Sequence, residues 1–159
     1  MTKSQNISVI INGEPISASV PLRTNLVDFL RNQVGLTGSH VGCEHGVCGA
    51  CTLEVDGSMI RGCLMLAVQA DGAEITTIEG FADREKAAQL QLSFQKYNAL
   101  QCGYCTPGML ASALEYIEAG GKADRAAIRQ HLSGNYCRCT GYQSIVDAVV
   151  AVIEQGGKQ

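Results

Sequence analysis

The sequence predicts an α+β fold in two parts, a strand-rich N-terminal module with a cysteine loop and a C-terminal bundle of four helices. Three observations predict it. Apolar and polar residues alternate in short runs as far as Ile78, and from Asp83 onward apolar residues recur at helical spacing instead. Eight cysteines fall into two sets of four, one set in each part. The 159 residues suffice for two small modules that share an interface.

The first strands form a hairpin. Ile7, Val9 and Ile11 alternate on one face, Asn12-Gly13 supplies a two-residue turn, and Ile16, Ala18 and Val20 alternate back. Thr24 is placed to cap a helix carrying Leu26, Phe29 and Leu30, with Gly35 just past its end. A Gly- and Cys-rich loop runs from Gly38 to Ala50. A second hairpin follows, Thr52-Leu53-Glu54-Val55 turning at Asp56-Gly57 into Ser58-Met59-Ile60, and a last strand is expected over Glu74 to Ile78.

In the second part Leu90, Phe94 and Tyr97 share the face of a first helix. Thr106-Pro107 reads as a cap followed by proline at the first helical position, opening a helix with Leu110, Ala113, Leu114 and Ile117 on one side. Asp124 is positioned to cap a short helix with Ile128 and Leu132 that ends at Gly134, and Ile145, Val146, Val149, Val150 and Ile153 line a final helix. The boundary is expected in the Glu79-Gly80-Phe81 connection, giving domains 1–79 and 80–159.

Composition excludes several classes of function. Hydrophobic residues make up 46% and charged residues 17%, so the chain should fold. The formal charge of −3 with scattered Lys and Arg offers nothing to nucleic acid or an anionic membrane. No apolar run approaches the roughly 20 residues of a membrane span, and the N-terminal residues lack a signal-peptide core, so a cytoplasmic location is expected. Cytosolic thiols stay reduced, which makes metal binding the default reading of so many cysteines.

The first set reads Cys43-x4-Cys48-x2-Cys51, with Cys63 after eleven intervening residues. That spacing is the plant-type [2Fe–2S] signature. Three cysteines on one loop can wrap a small two-iron rhomb while the fourth arrives from a neighbouring strand. A cluster bound by four thiolates is anionic, so backbone N–H groups must approach sulfur closely, and Gly42, Gly46, Gly49 and Ala50 permit it. The second set reads Cys102-x2-Cys105, then thirty-one residues, then Cys137-x-Cys139. Two distant pairs can hold a cluster between helices, with Cys105 just ahead of a helix whose dipole favours thiolate. This second pattern alone also suits structural zinc, whereas the first suits zinc poorly.

Other polar residues keep plain readings. His40 and His45 flank the first loop as exposed residues, His131 lies on the surface of a short helix, and Arg138, between two cysteines, either tunes the potential of a cluster, meets a partner or is a solvated arginine. Glu115, Glu118, Asp83 and Glu85 sit on polar faces without forming an acid–base pair. No G-x-G-x-x-G or phosphate-binding loop signals a flavin or nicotinamide site on this chain. No substrate-converting site is expected.

Three stretches carry a resemblance: Gly42-Cys43-Glu44-His45-Gly46-Val47-Cys48-Gly49-Ala50-Cys51-Thr52, Gln101-Cys102-Gly103-Tyr104-Cys105-Thr106-Pro107-Gly108-Met109 and Gly134-Asn135-Tyr136-Cys137-Arg138-Cys139-Thr140-Gly141-Tyr142. Together, in this order and across almost the whole chain, they resemble the iron–sulfur subunit of the xanthine oxidase family of molybdenum hydroxylases. The departures are small: no His-Pro precedes Phe94, and Tyr136 replaces a usual leucine. The resemblance implies a ferredoxin-like β-grasp domain followed by a four-helix bundle, each with one [2Fe–2S] cluster. It implies a large subunit with molybdopterin cytosine dinucleotide and a medium subunit with FAD, as a dimer of heterotrimers. The cluster on Cys102, Cys105, Cys137 and Cys139 would lie beside molybdenum and that on Cys43, Cys48, Cys51 and Cys63 on the flavin side, with Gln101 and Cys139 contacting the pterin. Electrons released by water-derived hydroxylation on the large subunit would pass one at a time through this chain. A free two-cluster ferredoxin and a structural zinc protein are the alternatives.

Overall fold

Both two-residue turns need left-handed backbone, and their residues supply it. In the structure, a computed structural model that describes residues 3–156, Asn12 and Gly13 have φ of 51° and 84° and join β1 (Ser4–Ile11) to β2 (Glu14–Pro21). Asp56 and Gly57, at 48° and 75°, likewise join β3 (Thr52–Val55) to β4 (Ser58–Arg61). The turns set an antiparallel register that runs from Ser4 opposite Pro21 to Ile11 opposite Glu14 in the first hairpin. A short β5 (Glu74–Thr76) then inserts between the hairpins, parallel to β1 and antiparallel to β3. The result is a mixed five-stranded sheet of order β2-β1-β5-β3-β4.

One face of this sheet is closed by α1 (Leu26–Phe29), whose Leu26, Val27 and Phe29 are fully buried. Its cap differs from expectation. Asn25, not Thr24, caps the helix, its Oδ1 accepting from the Asp28 N–H at 2.8 Å. Thr24 is held elsewhere by its backbone, which donates to Pro21 and accepts from Ala67. The helix continues as a π turn over Leu30–Val34 and stops at Gly35, as expected.

The second part contains α2 (Ile78–Phe81), α3 (Glu85–Lys96), α4 (Thr106–Glu118), α5 (Arg125–His131) and α6 (Gln143–Gly156). The expected connection at Gly80 is thus itself a helical turn. Asp124 caps α5 as expected, accepting from Ala126 and Ala127. At α4 the cap position falls on Cys105; Thr106 is the first helical residue, and its hydroxyl is buried with no partner among the described residues.

Two apolar cores result. One draws on Ile7 through Ile75 and contains Val9, Phe29, Leu30, Leu53 and Ile75; the other draws on Phe81 through Val152 and contains Leu90, Phe94, Met109, Leu114 and Val149. Complete burial of each large side chain contributes about 1.5–3 kcal/mol. The parts meet where α4 lies over β3, and Arg84 reaches across to grip Glu54 with both guanidinium nitrogens, at 2.9 and 2.5 Å. Among the described residues no helix is long and apolar enough to cross a membrane.

Candidate metal centres

The cysteine sets occupy irregular backbone because sulfur has to be met by N–H groups that regular elements would consume. The first three cysteines lie on the loop between α1 and β3, and Cys63 follows β4. Glu44, Gly46 and Gly49 all take positive φ, which curls the loop and turns its amides inward. The Cys48 N–H points at Cys43 Sγ from 3.5 Å. Burial opposes the Cys43 thiolate, yet N–H groups of Cys48, His45 and Val47 and the Cys48 thiol bring its pKa down to about 6. Cys63 goes the other way: burial and its neighbour Cys51 push the thiol up to about 11, and the Gly46 N–H only partly offsets them.

The second set joins two loops, one entering α4 and one ahead of α6. Cys139 Sγ lies 3.6 Å from Cys102 Sγ, and both residues are exposed. Cys105 and Cys137 meet more deeply. Burial and the neighbouring Cys137 sulfur raise Cys105 to about 12. Cys137 is lowered despite burial, because the Thr140 hydroxyl donates to its sulfur at 3.1 Å and the amides of Thr140 and Cys139 assist. Its own N–H donates to the Tyr142 hydroxyl at 2.9 Å.

The cysteines therefore lie in twos: the Cys48 N–H against Cys43 Sγ, Cys102 Sγ against Cys139 Sγ, Cys51 as the neighbour that raises Cys63, and Cys137 as the neighbour that raises Cys105. Among the described residues no three His, Cys, Asp or Glu side chains converge as around a single ion. A two-iron cluster takes two protein thiolates on each iron, so two such twos form its donor set. The donor chemistry fits. A cavity of about 140 Å³ is lined by Cys48 of the first set together with Cys102, Cys105 and Cys137 of the second.

The remaining candidates divide. Gln101 joins the second set, its amide donating to the Cys139 carbonyl at 3.2 Å. His40 is not a free loop residue: it stacks on Tyr104 at 4.5 Å between ring centres, and its Nδ1 lies 2.8 Å from the Tyr104 carbonyl. His45 stays exposed against the Cys43 carbonyl. His131 lies at the surface but pairs with Glu115 at 3.2 Å, and Glu118 faces Arg84 at 3.6 Å. Arg138 is exposed.

Three further residues, Tyr104, Arg61 and Asn135, tie the loops together and were not singled out from sequence. The Tyr104 hydroxyl donates to the Val41 carbonyl at 2.7 Å. Asn135, 2% exposed, bridges Gly49 and Ser112, and Arg61 donates to Gly134. Asn135 and Tyr104 lie within the quoted motifs, so their place beside cysteines was the available signal.

Comparison with known proteins supplies the lineage. The 2Fe-2S iron-sulfur cluster binding domain family matches residues 9–77, and the [2Fe-2S] binding domain family matches residues 77–150. The gamma subunit of caffeine dehydrogenase from Pseudomonas sp. (strain CBB1) is 49% identical over 94% of this chain and 91% of its own. The nicotine 6-hydroxylase small subunit of Paenarthrobacter nicotinovorans is 48% identical over 96% and 92%. The chain belongs to the iron–sulfur small subunits of the xanthine oxidase family of molybdenum hydroxylases. Among solved structures, quinoline 2-oxidoreductase from Pseudomonas putida 86 matches this iron–sulfur subunit with a TM-score of 0.90 at 48% identity, covering 98% of this chain and 97% of that one. The aldehyde oxidoreductase of Desulfovibrio gigas matches with a TM-score of 0.86 at 39% identity, and there the iron–sulfur subunit covers 18% of a longer chain. The chain is thus an electron-transfer subunit of an oxidoreductase complex, and its 2Fe-2S domains bind iron–sulfur clusters.

Proposed function

We propose that the chain holds two [2Fe–2S] clusters, one on Cys43, Cys48, Cys51 and Cys63 in a ferredoxin-like β-grasp domain and one on Cys102, Cys105, Cys137 and Cys139 in the helical domain, with the boundary at residues 79 and 80. The single observation that carries this is that each cysteine set comes together in the fold, the Cys48 N–H against Cys43 Sγ in the first, and in the second Cys102 Sγ against Cys139 Sγ with Cys105 and Cys137 lining the same cavity as Cys102. Bound there, a cluster supplies a one-electron carrier, so the pair from one oxidation travels in two steps. The residues of this chain hold and tune. Inward amides of the first loop and the Thr140 hydroxyl at Cys137 offset negative charge on sulfur, which favours the reduced state.

In this reading a large subunit with molybdopterin cytosine dinucleotide abuts the exposed Gln101, Cys102 and Cys139, where the Gln101 amide and the Cys139 backbone meet the pterin. A medium subunit with FAD lies on the plant-type side, the assembly is a dimer of heterotrimers, and it is cytoplasmic. The Desulfovibrio gigas protein, whose chain continues far beyond its match to this one, supports a large partner. Relatives named for caffeine, nicotine and quinoline, at 48 or 49% identity, support an aromatic N-heterocycle as the substrate. Turnover of such compounds but not simple aldehydes by the purified complex would bear that out.

The test of the ligand set is substitution in the co-purified complex. Cys102→Ala or Cys137→Ala should remove one of two reduced-state electron spin resonance signals, lower bound iron and stop flavin reduction by substrate. Retention of both signals with full turnover would sink the assignment.

A further inference from the structure

The loop that carries Cys48 is fastened to the loop that carries Cys137 by one buried amide. The Asn135 side chain donates from Nδ2 to the Gly49 carbonyl at 3.3 Å and accepts at Oδ1 from Ser112 at 2.9 Å and Arg61 at 3.3 Å. Arg61 also donates to the Gly134 carbonyl at 3.0 Å and to the Thr52 hydroxyl, which donates in turn to Gly49 O at 2.6 Å. The fit is tight: a Cβ at Gly49 would come within 2.6 Å of Asn135 Nδ2, and one at Gly108 within 2.0 Å of Gly49 O. This clamp sets one backbone hydrogen bond, from Tyr136 N–H to Cys48 O at 2.8 Å, between a residue of one cysteine set and the neighbour of Cys137 in the other.

We infer that Asn135, braced by Arg61, is a positioning residue that fixes the separation of the two cysteine sets and thereby the rate at which an electron crosses between them. The inference rests on the two-cluster reading above. The step it governs moves one electron from a reduced cluster to an oxidised one; no bond forms or breaks and no proton moves. Such exchange weakens steeply as the gap widens, and more steeply across empty space than through bonds. A buried amide with three partners resists small displacements, because each lost partner leaves an unpaired polar group. A clamp made only for stability would be expected anywhere along the α4–β3 contact. This one joins the residue after Cys48 to a residue two before Cys137.

The experiment uses the intact complex carrying Asn135→Leu and, separately, Arg61→Met, with Ser93→Ala as a control that removes a buried hydrogen bond, to the Ala148 carbonyl, from within the helical part without touching the cysteine loops. Iron content and the two spin resonance signals are measured first. A flash-generated reductant and rapid freezing then follow the electron from one centre to the other, and the fully reduced samples report the magnetic interaction between centres. We expect both clusters to be retained, transfer to slow severalfold, and the interaction to shrink in both variants but not in Ser93→Ala. If Asn135→Leu fails to assemble, Arg61→Met decides alone. Unchanged transfer and interaction in Arg61→Met, with both clusters present, would overturn the inference, whatever happens to thermal stability. A wild-type complex with fewer than two kinds of centre would instead overturn the two-cluster reading.

Discussion

At the scale of single residues, the eight cysteines are alike in the sequence and unlike in the fold. Inward amides draw Cys43 down to about 6, while burial and a neighbouring sulfur hold Cys105 at about 12. At pH 7 the first is therefore largely thiolate and the second a thiol. In protein stripped of clusters, brief iodoacetamide treatment at pH 7 should modify Cys43 well before Cys105, and lowering the pH through 6 should suppress the Cys43 reaction; peptide mass mapping checks both. Thr140 offers a second prediction. Its hydroxyl donates to Cys137 Sγ, and a hydrogen bond of about 1 kcal/mol that favours the reduced cluster corresponds to roughly 40 mV for one electron. Thr140→Val should therefore lower the potential of the bundle cluster by about that much and leave the other unchanged, as read by a spin resonance redox titration.

At the scale of elements, alternation and helical periodicity were enough to place both hairpins and the long helices, and the last strand to within its end: it stops at Thr76, Ile78 opens the turn of α2 instead, and α3 closes with Tyr97 as its cap. Cysteine spacing marked both sets. What the sequence concealed is local competition for backbone groups. Thr24 and Asn25 are both good caps, and the choice between them was made by Ala67, which takes the Thr24 carbonyl from far along the chain. Likewise the apolar stripe of α4 suggested one buried side, but Gly108, Met109, Ala111 and Ser112 are buried as well, because the helix is sandwiched between its own bundle and the sheet. Small residues on its second side are the trace of that sandwich. Gly108→Ala is the corresponding test. Its methyl group would drive into the Gly49 carbonyl, and a steric insertion of this kind costs about 3 kcal/mol, which a lowered denaturation midpoint would report.

At the scale of the whole molecule, each part has its own apolar core, and polar residues spell out how the parts join: Arg84 with Glu54, and the group around Asn135. None of these pairings was legible beforehand, since a contact between residues 54 and 84 leaves no periodic mark. The Arg84 guanidinium sits 32% exposed over a Glu54 carboxylate only 13% exposed. Arg84→Ala should cost about 1–2 kcal/mol, measured by urea unfolding, and the loss should change little with added salt because the carboxylate is largely shielded from solvent.

The separation of the two cores bears on how the protein is made. Every buried member of the first lies at or before residue 75, so the cluster itself draws on no downstream residue, and α4 is added to it afterwards as a cover over β3. As the polypeptide leaves the ribosome, the sheet and its four thiols can be finished while the helices are still being synthesised. Maturation factors would then meet the plant-type site first, and the Asn135 clasp would close last over a partner already in its final shape.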